Sequence, residues 1–188
     1  LLIHFSEIIS SLVMLVILIG TNLYFYGTTE PAVSHGYNFS LIAIFLFYSI
    51  QWLDKQKLIH ILVLGLVGGL ITLIRPVNIL IFIIPLLYGV VSWKTFLSRL
   101  ELIKTKYWHI LILMSASFLV LFPQLLFLKI NTGSWLYFSY GEEGFHFDNP
   151  HVYYGLFSYR KGWLLYTPVM LFALGGLVIA LKNKKPYA

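Results

Sequence analysis

Six runs of apolar residues alternate with polar connections along this 188-residue chain. A helix needs about 20 mostly apolar residues to cross a bilayer, and helices are expected because lipid-exposed backbone must satisfy its hydrogen bonds internally. The pattern predicts an all-α fold: a polytopic transmembrane helix bundle of about six spans, forming a single transmembrane domain over 1–188. The predicted spans are 6–25, 36–53, 58–74, 77–93, 108–130 and 164–181.

The composition agrees with a membrane protein. Hydrophobic residues make up 59% of the chain and charged residues 11%, whereas a soluble domain has about 25% charged residues. The net charge of +6 does not indicate nucleic acid, because the basic residues flank the apolar runs, where topology requires them. Cysteine is absent, which excludes disulfides and thiolate metal sites.

Basic residues concentrate on one side of the predicted membrane. By the positive-inside rule, both ends of the chain lie in the cytoplasm and the protein is multi-pass in the cytoplasmic (inner) membrane. The outer connections are then 27–35, 75–76 and 131–162. The basic residues assigned to the cytoplasmic side are Lys55, Lys57, Lys94, Arg99, Lys104, Lys106, Lys182, Lys184 and Lys185.

The longest connection, 131–162, is predicted to be an ordered aromatic loop at the outer surface. It is too long for a simple turn between helices, and disordered segments are poor in aromatic residues. Ionisable side chains are mixed among its aromatic ones, a composition that suits the membrane–water boundary. Within it, Asp148-Asn149-Pro150 predicts the start of a short interfacial helix.

The middle of the chain carries three further signals. Gly65 and Gly69 have the small-xxx-small spacing that lets membrane helices approach closely. Arg75-Pro76 predicts a tight outer turn, at which the arginine either snorkels to the surface or clamps an anion; the sequence leaves both readings open. The basic segment 94–107 predicts an amphipathic helix lying in the interface.

Three stretches, in this order, resemble bacterial membrane glycosyltransferases of the GT-C type, relatives of the protein O-mannosyltransferases and aminoarabinose transferases that use polyprenyl-phosphate sugars. They are TNLYFYGTTEPAVSHGYNFSLIAIFLF, the glycine-rich span ending in Arg75-Pro76, and PQLLFLKINTGSWLYFSYGEEGFHFDNPHVYYGLFSYRKGWLLYTP. The resemblance implies a helix bundle that holds a lipid-linked sugar at the outer membrane face and transfers the sugar to an acceptor with inversion. It also implies a catalytic carboxylate on the first outer loop. Nothing here matches that loop, so we expect the chain to be a piece of a longer protein whose missing N-terminal segment carries it.

This chemistry assigns roles to residues of the outer connections. Cationic side chains are expected to bind the donor phosphate, and Glu30 and His35 are the catalytic candidates, which orient the donor or assist the base. Aromatic and carboxylate side chains of the long loop are expected to hold the sugar or acceptor. The phosphate-binding candidates are Arg75, Arg160 and Lys161, and the sugar- or acceptor-binding candidates are Tyr140, Glu142, Glu143 and His146.

No resident metal or other cofactor is expected, because the histidines and carboxylates of the long loop fit no recognised ligand spacing, although a divalent metal stays open. The expected partners are membrane lipid, the lipid-linked sugar donor, and a glycan, lipid or protein acceptor, without nucleic acid. Two alternatives are a transporter or flippase of lipid-linked glycans and a non-catalytic membrane scaffold. All acidic residues lie in loops or near helix ends, which argues against a proton-coupled transporter.

Overall fold

The computed structural model describes residues 1–137, 148–160 and 162–185, and the regular structure of these residues is entirely helical, as predicted. A 3₁₀-helix, Pro76–Phe82, leads directly into the fifth α-helix. The α-helices are α1 (Glu7–Gly20), α2 (Leu23–Thr28), α3 (His35–Lys55), α4 (Leu58–Ile74), α5 (Ile83–Leu87), α6 (Trp93–Thr105), α7 (Tyr107–Thr132), α8 (Val152–Phe157), α9 (Trp163–Tyr166) and α10 (Met170–Lys182).

The chain forms two compact units. The first comprises the described residues of 1–36 and 140–183, and the second those of 37–139 and 184–188. The first unit therefore holds α1, α2 and α8 to α10. The second holds nearly all of α3 together with α4 to α7.

Two helices in the described part of the chain, α3 with 21 residues and α7 with 26 residues, are long and apolar enough to cross a membrane. At about 1.5 Å per residue each exceeds the roughly 30 Å hydrocarbon core of a bilayer. Only 17% of the most apolar stretch of α3 and 11% of that of α7 is buried. A core helix of a soluble protein is mostly buried, so this exposure is the opposite of what such a helix shows.

The other four predicted spans correspond to shorter apolar helices. The 14 residues of α1 and the 17 residues of α4 extend only about 21 and 26 Å at 1.5 Å per residue. The predicted span 77–93 is a 3₁₀-helix followed by the five-residue α5. Helices of spanning length are thus found at 36–53 and 108–130, and the six-span arrangement stays a prediction.

Threonines interrupt two of the predicted spans. The hydroxyl of Thr21 donates to the carbonyl of Ile17 at 2.6 Å and accepts from the N–H of Leu23 at 3.2 Å, which ends α1 and begins α2. Thr167 separates α9 from α10, and Pro168 follows it. A residue before proline is disfavoured in the helical conformation. Hydropathy alone does not register either break.

The two glycines of α4 lie against α7. A Cβ on Gly65 would come within 2.7 Å of the Ala116 Cβ, and one on Gly69 within 2.9 Å of the Val120 Cβ. The hydroxyl of Ser117 also donates to the Gly65 carbonyl at 2.9 Å. The packing role predicted for these glycines is confirmed, and the rising residue numbers on both sides show that α4 and α7 run parallel.

The buried core of the second unit consists of apolar residues of α3 and α4. The indole of Trp52 also joins α3 to the first turn of α7, because its N–H donates to Nδ1 of His109 at 3.0 Å. The buried apolar residues of this core are Phe45, Trp52, Ile61, Leu64 and Ile71.

The segment predicted as an amphipathic helix forms α6. Ser92 and Thr95 cap each other's backbone N–H groups at its start. On the same helix, the Arg99 guanidinium donates to the carbonyls of Pro85 at 2.8 Å and Tyr88 at 3.0 Å. Partial burial lowers the pKa of Arg99 from its usual value. Arg99 thus holds α6 to the end of α5.

Candidate functional site

Arg75 occupies the break between α4 and the 3₁₀-helix. Its backbone is extended, with φ −146° and ψ 118°, as expected for a residue that precedes proline. Its N–H still donates to the Ile71 carbonyl at 3.3 Å, and its side chain is exposed. The chain breaks its helix at Arg75-Pro76 as predicted, and the Arg75 side chain lies exposed at the end of an apolar helix. The outer-face location of this turn stays a prediction.

Asn78 forms hydrogen bonds to the backbone of Ile71 and of Arg75, and so stabilises this break. Its backbone N–H donates to the Arg75 carbonyl at 2.9 Å, and its Nδ2 donates to the Ile71 carbonyl at 3.3 Å. Asn78 therefore fixes the backbone that carries Arg75, a role that was not predicted from the sequence. An asparagine three residues after the arginine of an Arg-Pro turn was the available signal, because asparagine side chains commonly bond to nearby backbone.

In the first unit, Glu30 and His35 follow α2. The imidazole of half-buried His35, the first residue of α3, packs against the Tyr26 ring, with centroids 4.6 Å apart and planes 39° apart. The backbone N–H of Glu30 donates to the Phe25 carbonyl at 3.2 Å, and its carboxylate side chain is exposed. The Tyr26 ring thus positions the His35 imidazole, and the Glu30 carboxylate is accessible at the surface.

The short helix expected within the long loop is present as α8. It begins at Val152, after His151 in a left-handed conformation with φ 46°, and no side chain caps it. Asp148-Asn149 was therefore the wrong choice of cap. Tyr153 and Phe157 are exposed on α8, with ring centroids 5.5 Å apart. The helix consequently presents an aromatic surface.

Arg160 lies in a tight turn after α8, and its side chain is exposed. The N–H of Gly162 donates to the Ser158 carbonyl at 2.8 Å, which closes the turn. A Cβ on Gly162 would lie 2.5 Å from the Ser158 nitrogen, so a side chain there would clash with the backbone. The Tyr166 hydroxyl donates to the Tyr159 carbonyl and ties the turn to α9.

The described candidates fall in both units: Glu30, His35 and Arg160 in the first, and Arg75 in the second. Among residues 1–137, 148–160 and 162–185, no group of three or more histidine or carboxylate side chains could hold a metal ion. The remaining candidates, which lie outside the described residues, are Tyr140, Glu142, Glu143, His146 and Lys161.

Comparison of the chain with protein-family models, curated proteins and solved structures gives no match. The structural features that bear on function are therefore the exposed apolar helices α3 and α7 and the break after α4 that carries Arg75.

Proposed function

We propose that this chain belongs to a multi-pass membrane glycosyltransferase. It transfers a sugar from a polyprenyl-phosphate donor to an acceptor at the outer face of the cytoplasmic membrane, with inversion. The observation that carries the membrane part is the exposure of α3 and α7, which are long enough to span and lie largely unburied. Water does not tolerate apolar surface on this scale, whereas a bilayer covers it.

The six-span bundle with both ends in the cytoplasm belongs to the same proposal. The four shorter apolar helices reach across the bilayer together with their flanking residues, or where the bilayer thins locally around them. The distribution of lysine and arginine between alternate connections supports the orientation. In this arrangement Arg75 lies at the outer surface.

The glycosyltransferase part is supported by the three sequence stretches that resemble GT-C enzymes in order, and by the setting of Arg75. In the proposed reaction, an acceptor hydroxyl attacks the anomeric carbon and loses its proton to a base. The bond from that carbon to the phosphate oxygen breaks, and polyprenyl phosphate leaves with the negative charge. Arg75 binds this phosphate, because a guanidinium pairs with two phosphate oxygens at once.

The other candidates act around this step. Arg160 and Lys161 are the second candidates for contact with the donor phosphate, because fixed positive charge stabilises a leaving phosphate. His35, positioned by Tyr26, and Glu30 orient the donor or assist the base. Aromatic faces and carboxylates of the long loop hold the sugar or the acceptor, and these residues are Tyr140, Glu142, Glu143 and His146.

The release of polyprenyl phosphate tests the proposal without knowledge of the sugar. The full-length protein is reconstituted in vesicles containing native membrane lipids together with a membrane extract that supplies acceptors, and a panel of polyprenyl-phosphate sugars is added. Mass spectrometry then follows donor loss and polyprenyl-phosphate release. We expect release with at least one donor, and a decrease of roughly 10- to 100-fold in Arg75→Ala, the range of a lost charge-assisted hydrogen bond.

Two variants sharpen this test. Arg75→Lys keeps the charge but loses the two-point geometry, so its rate should fall between those of wild type and Arg75→Ala. Lys94→Ala removes an exposed cation on α6 and should leave release unchanged. Full activity in Arg75→Ala would refute the phosphate role. Movement of lipid-linked sugar across the vesicle membrane without release would identify a flippase, and neither activity would favour a scaffold.

A further inference from the structure

An open groove runs between α4 and α7 in the second unit. Its volume is about 540 Å³. Ser115, a small residue with an exposed side chain, is part of its lining. Its walls include Leu62, Leu66, Trp108, Leu111, Ser115 and Leu119. We call this feature the α4–α7 groove.

The length of the groove matches one leaflet of a bilayer. Trp108 and Leu119 mark its ends along α7, and their separation in sequence corresponds to about 16 Å at 1.5 Å per residue. Half of the roughly 30 Å hydrocarbon core is about 15 Å. An acyl chain of a phospholipid, which fills one leaflet, therefore has the length and the apolar character that the groove requires.

Two lysines precede the helices that form the groove, outside its apolar lining. Because α4 and α7 run parallel, their N-termini lie at the same end, where Lys57 precedes α4 and Lys106 precedes α7. Tyr107 and Trp108 follow and are 53% and 62% exposed, as expected of aromatic residues at the headgroup level. Two lysines and two helix N-termini favour a negatively charged headgroup over a zwitterionic one.

We propose that the α4–α7 groove binds an anionic phospholipid, with one acyl chain along Ser115 and the phosphate at the end marked by Lys57 and Lys106. This site differs from the one proposed for Arg75, which lies at the opposite end of α4. The inference rests on the membrane location proposed above. It does not depend on the glycosyltransferase activity.

Native mass spectrometry of the protein released from nanodiscs tests this site. The nanodiscs contain phosphatidylglycerol and phosphatidylcholine of identical chains in equal amounts, and a second set contains added polyprenyl phosphate. We expect one phosphatidylglycerol to be retained at least fivefold over phosphatidylcholine. Lys57→Gln with Lys106→Gln should abolish this preference, since each lysine near an anionic lipid surface contributes roughly fivefold.

A matched pair of variants tests the groove itself. Ser115→Phe fills it, whereas Met114→Phe adds the same side chain to the neighbouring position, which is 61% exposed and not part of the groove wall. Ser115→Phe should lose the retained lipid and Met114→Phe should keep it. Circular dichroism and the melting temperature establish that both variants fold.

Several outcomes would overturn the proposal. They are equal retention of the two phospholipids, retention of polyprenyl phosphate in their place, and unchanged lipid binding in Ser115→Phe. A dimer that Ser115→Phe disrupts would instead assign the groove to a second copy of the chain. Insertion into the nanodisc is scored separately by flotation, so failure of the membrane proposal is distinguished from failure of the lipid site.

Discussion

The indole N–H of Trp52 donates to Nδ1 of His109 at 3.0 Å, and the two side chains are only 2% and 9% exposed. The bond joins α3 to α7, the two helices of spanning length. It also fixes the imidazole tautomer, because an Nδ1 that accepts a hydrogen bond leaves the proton on Nε2. This buried polar pair connects α3 directly to α7, which in turn meets α4 through small residues and through the Ser117 hydroxyl bond to the Gly65 carbonyl.

Loss of this bond should destabilise the fold measurably. Trp52→Phe leaves His109 Nδ1 buried without its donor, which costs about 1–3 kcal/mol in addition to lost packing. The double variant Trp52→Phe/His109→Leu replaces both partners with apolar groups and should recover part of that loss. The free energy of unfolding in detergent, measured by denaturant titration, checks both. Trp93→Phe, at a position 72% exposed, is the control, and a loss there as large as in Trp52→Phe would contradict the argument.

The close approach of α4 and α7 should make Gly65 intolerant of a methyl group. Gly65→Ala places a Cβ 2.7 Å from both the Ala116 Cβ and the Leu113 carbonyl oxygen, so the helices must separate. We expect destabilisation of about 1–3 kcal/mol, typical of overpacking.

Gly175→Ala in α10 is the matched control, because a Cβ there meets nothing within 4 Å. Alanine is favoured over glycine in a helix by up to about 1 kcal/mol, so this variant should be neutral or slightly more stable. Melting temperatures in the same detergent compare the two. Equal melting temperatures for Gly65→Ala and wild type would show that the helices are not in this contact.

Arg99 should stabilise the fold, in addition to contributing to the positive charge on the predicted cytoplasmic side. Arg99→Gln removes the guanidinium bonds to Pro85 and Tyr88 and leaves carbonyls at the end of α5 without these donors, at a cost of about 1–3 kcal/mol. Lys94→Gln removes an exposed charge from the same helix and should change stability by less than about 0.5 kcal/mol. Hydrogen exchange of 83–88 gives the local readout: it should accelerate in Arg99→Gln only, and unchanged protection would refute the role.

The helical class was predictable because apolar composition and lipid solvation leave the backbone few alternatives. The contact of Gly65 and Gly69 was also predictable, since small residues four apart are the spacing at which membrane helices approach closely. The breaks at Thr21 and Thr167 were not, because a hydroxyl that bonds to its own backbone barely alters hydropathy.

The sequence predicted the charged residues of the candidate site but not the residues that position them. Arg75 stands out in an apolar run, whereas Asn78 is recognisable only once the chain is seen to turn back on the Ile71 carbonyl. The same limit explains Gly162, whose close approach to Ser158 depends on the turn around Arg160. Residue types predict charge and turn propensity, but they do not predict which backbone atoms come into contact in the folded chain.

The support of Arg75 by Asn78 yields the last prediction. Asn78→Ala removes the Nδ2 bond to the Ile71 carbonyl while leaving the arginine itself unchanged. If Arg75 binds the leaving phosphate, looser positioning should lower kcat for polyprenyl-phosphate release by roughly tenfold, about 1.4 kcal/mol in the barrier. KM should change little if the loss is confined to the transition state.

Asn183→Ala, at the exposed end of α10, is the control and should leave both kcat and KM unchanged. In the Arg75→Ala background, Asn78→Ala should have no further effect, because the group it positions is gone; an additive loss would mean that Asn78 acts independently of Arg75.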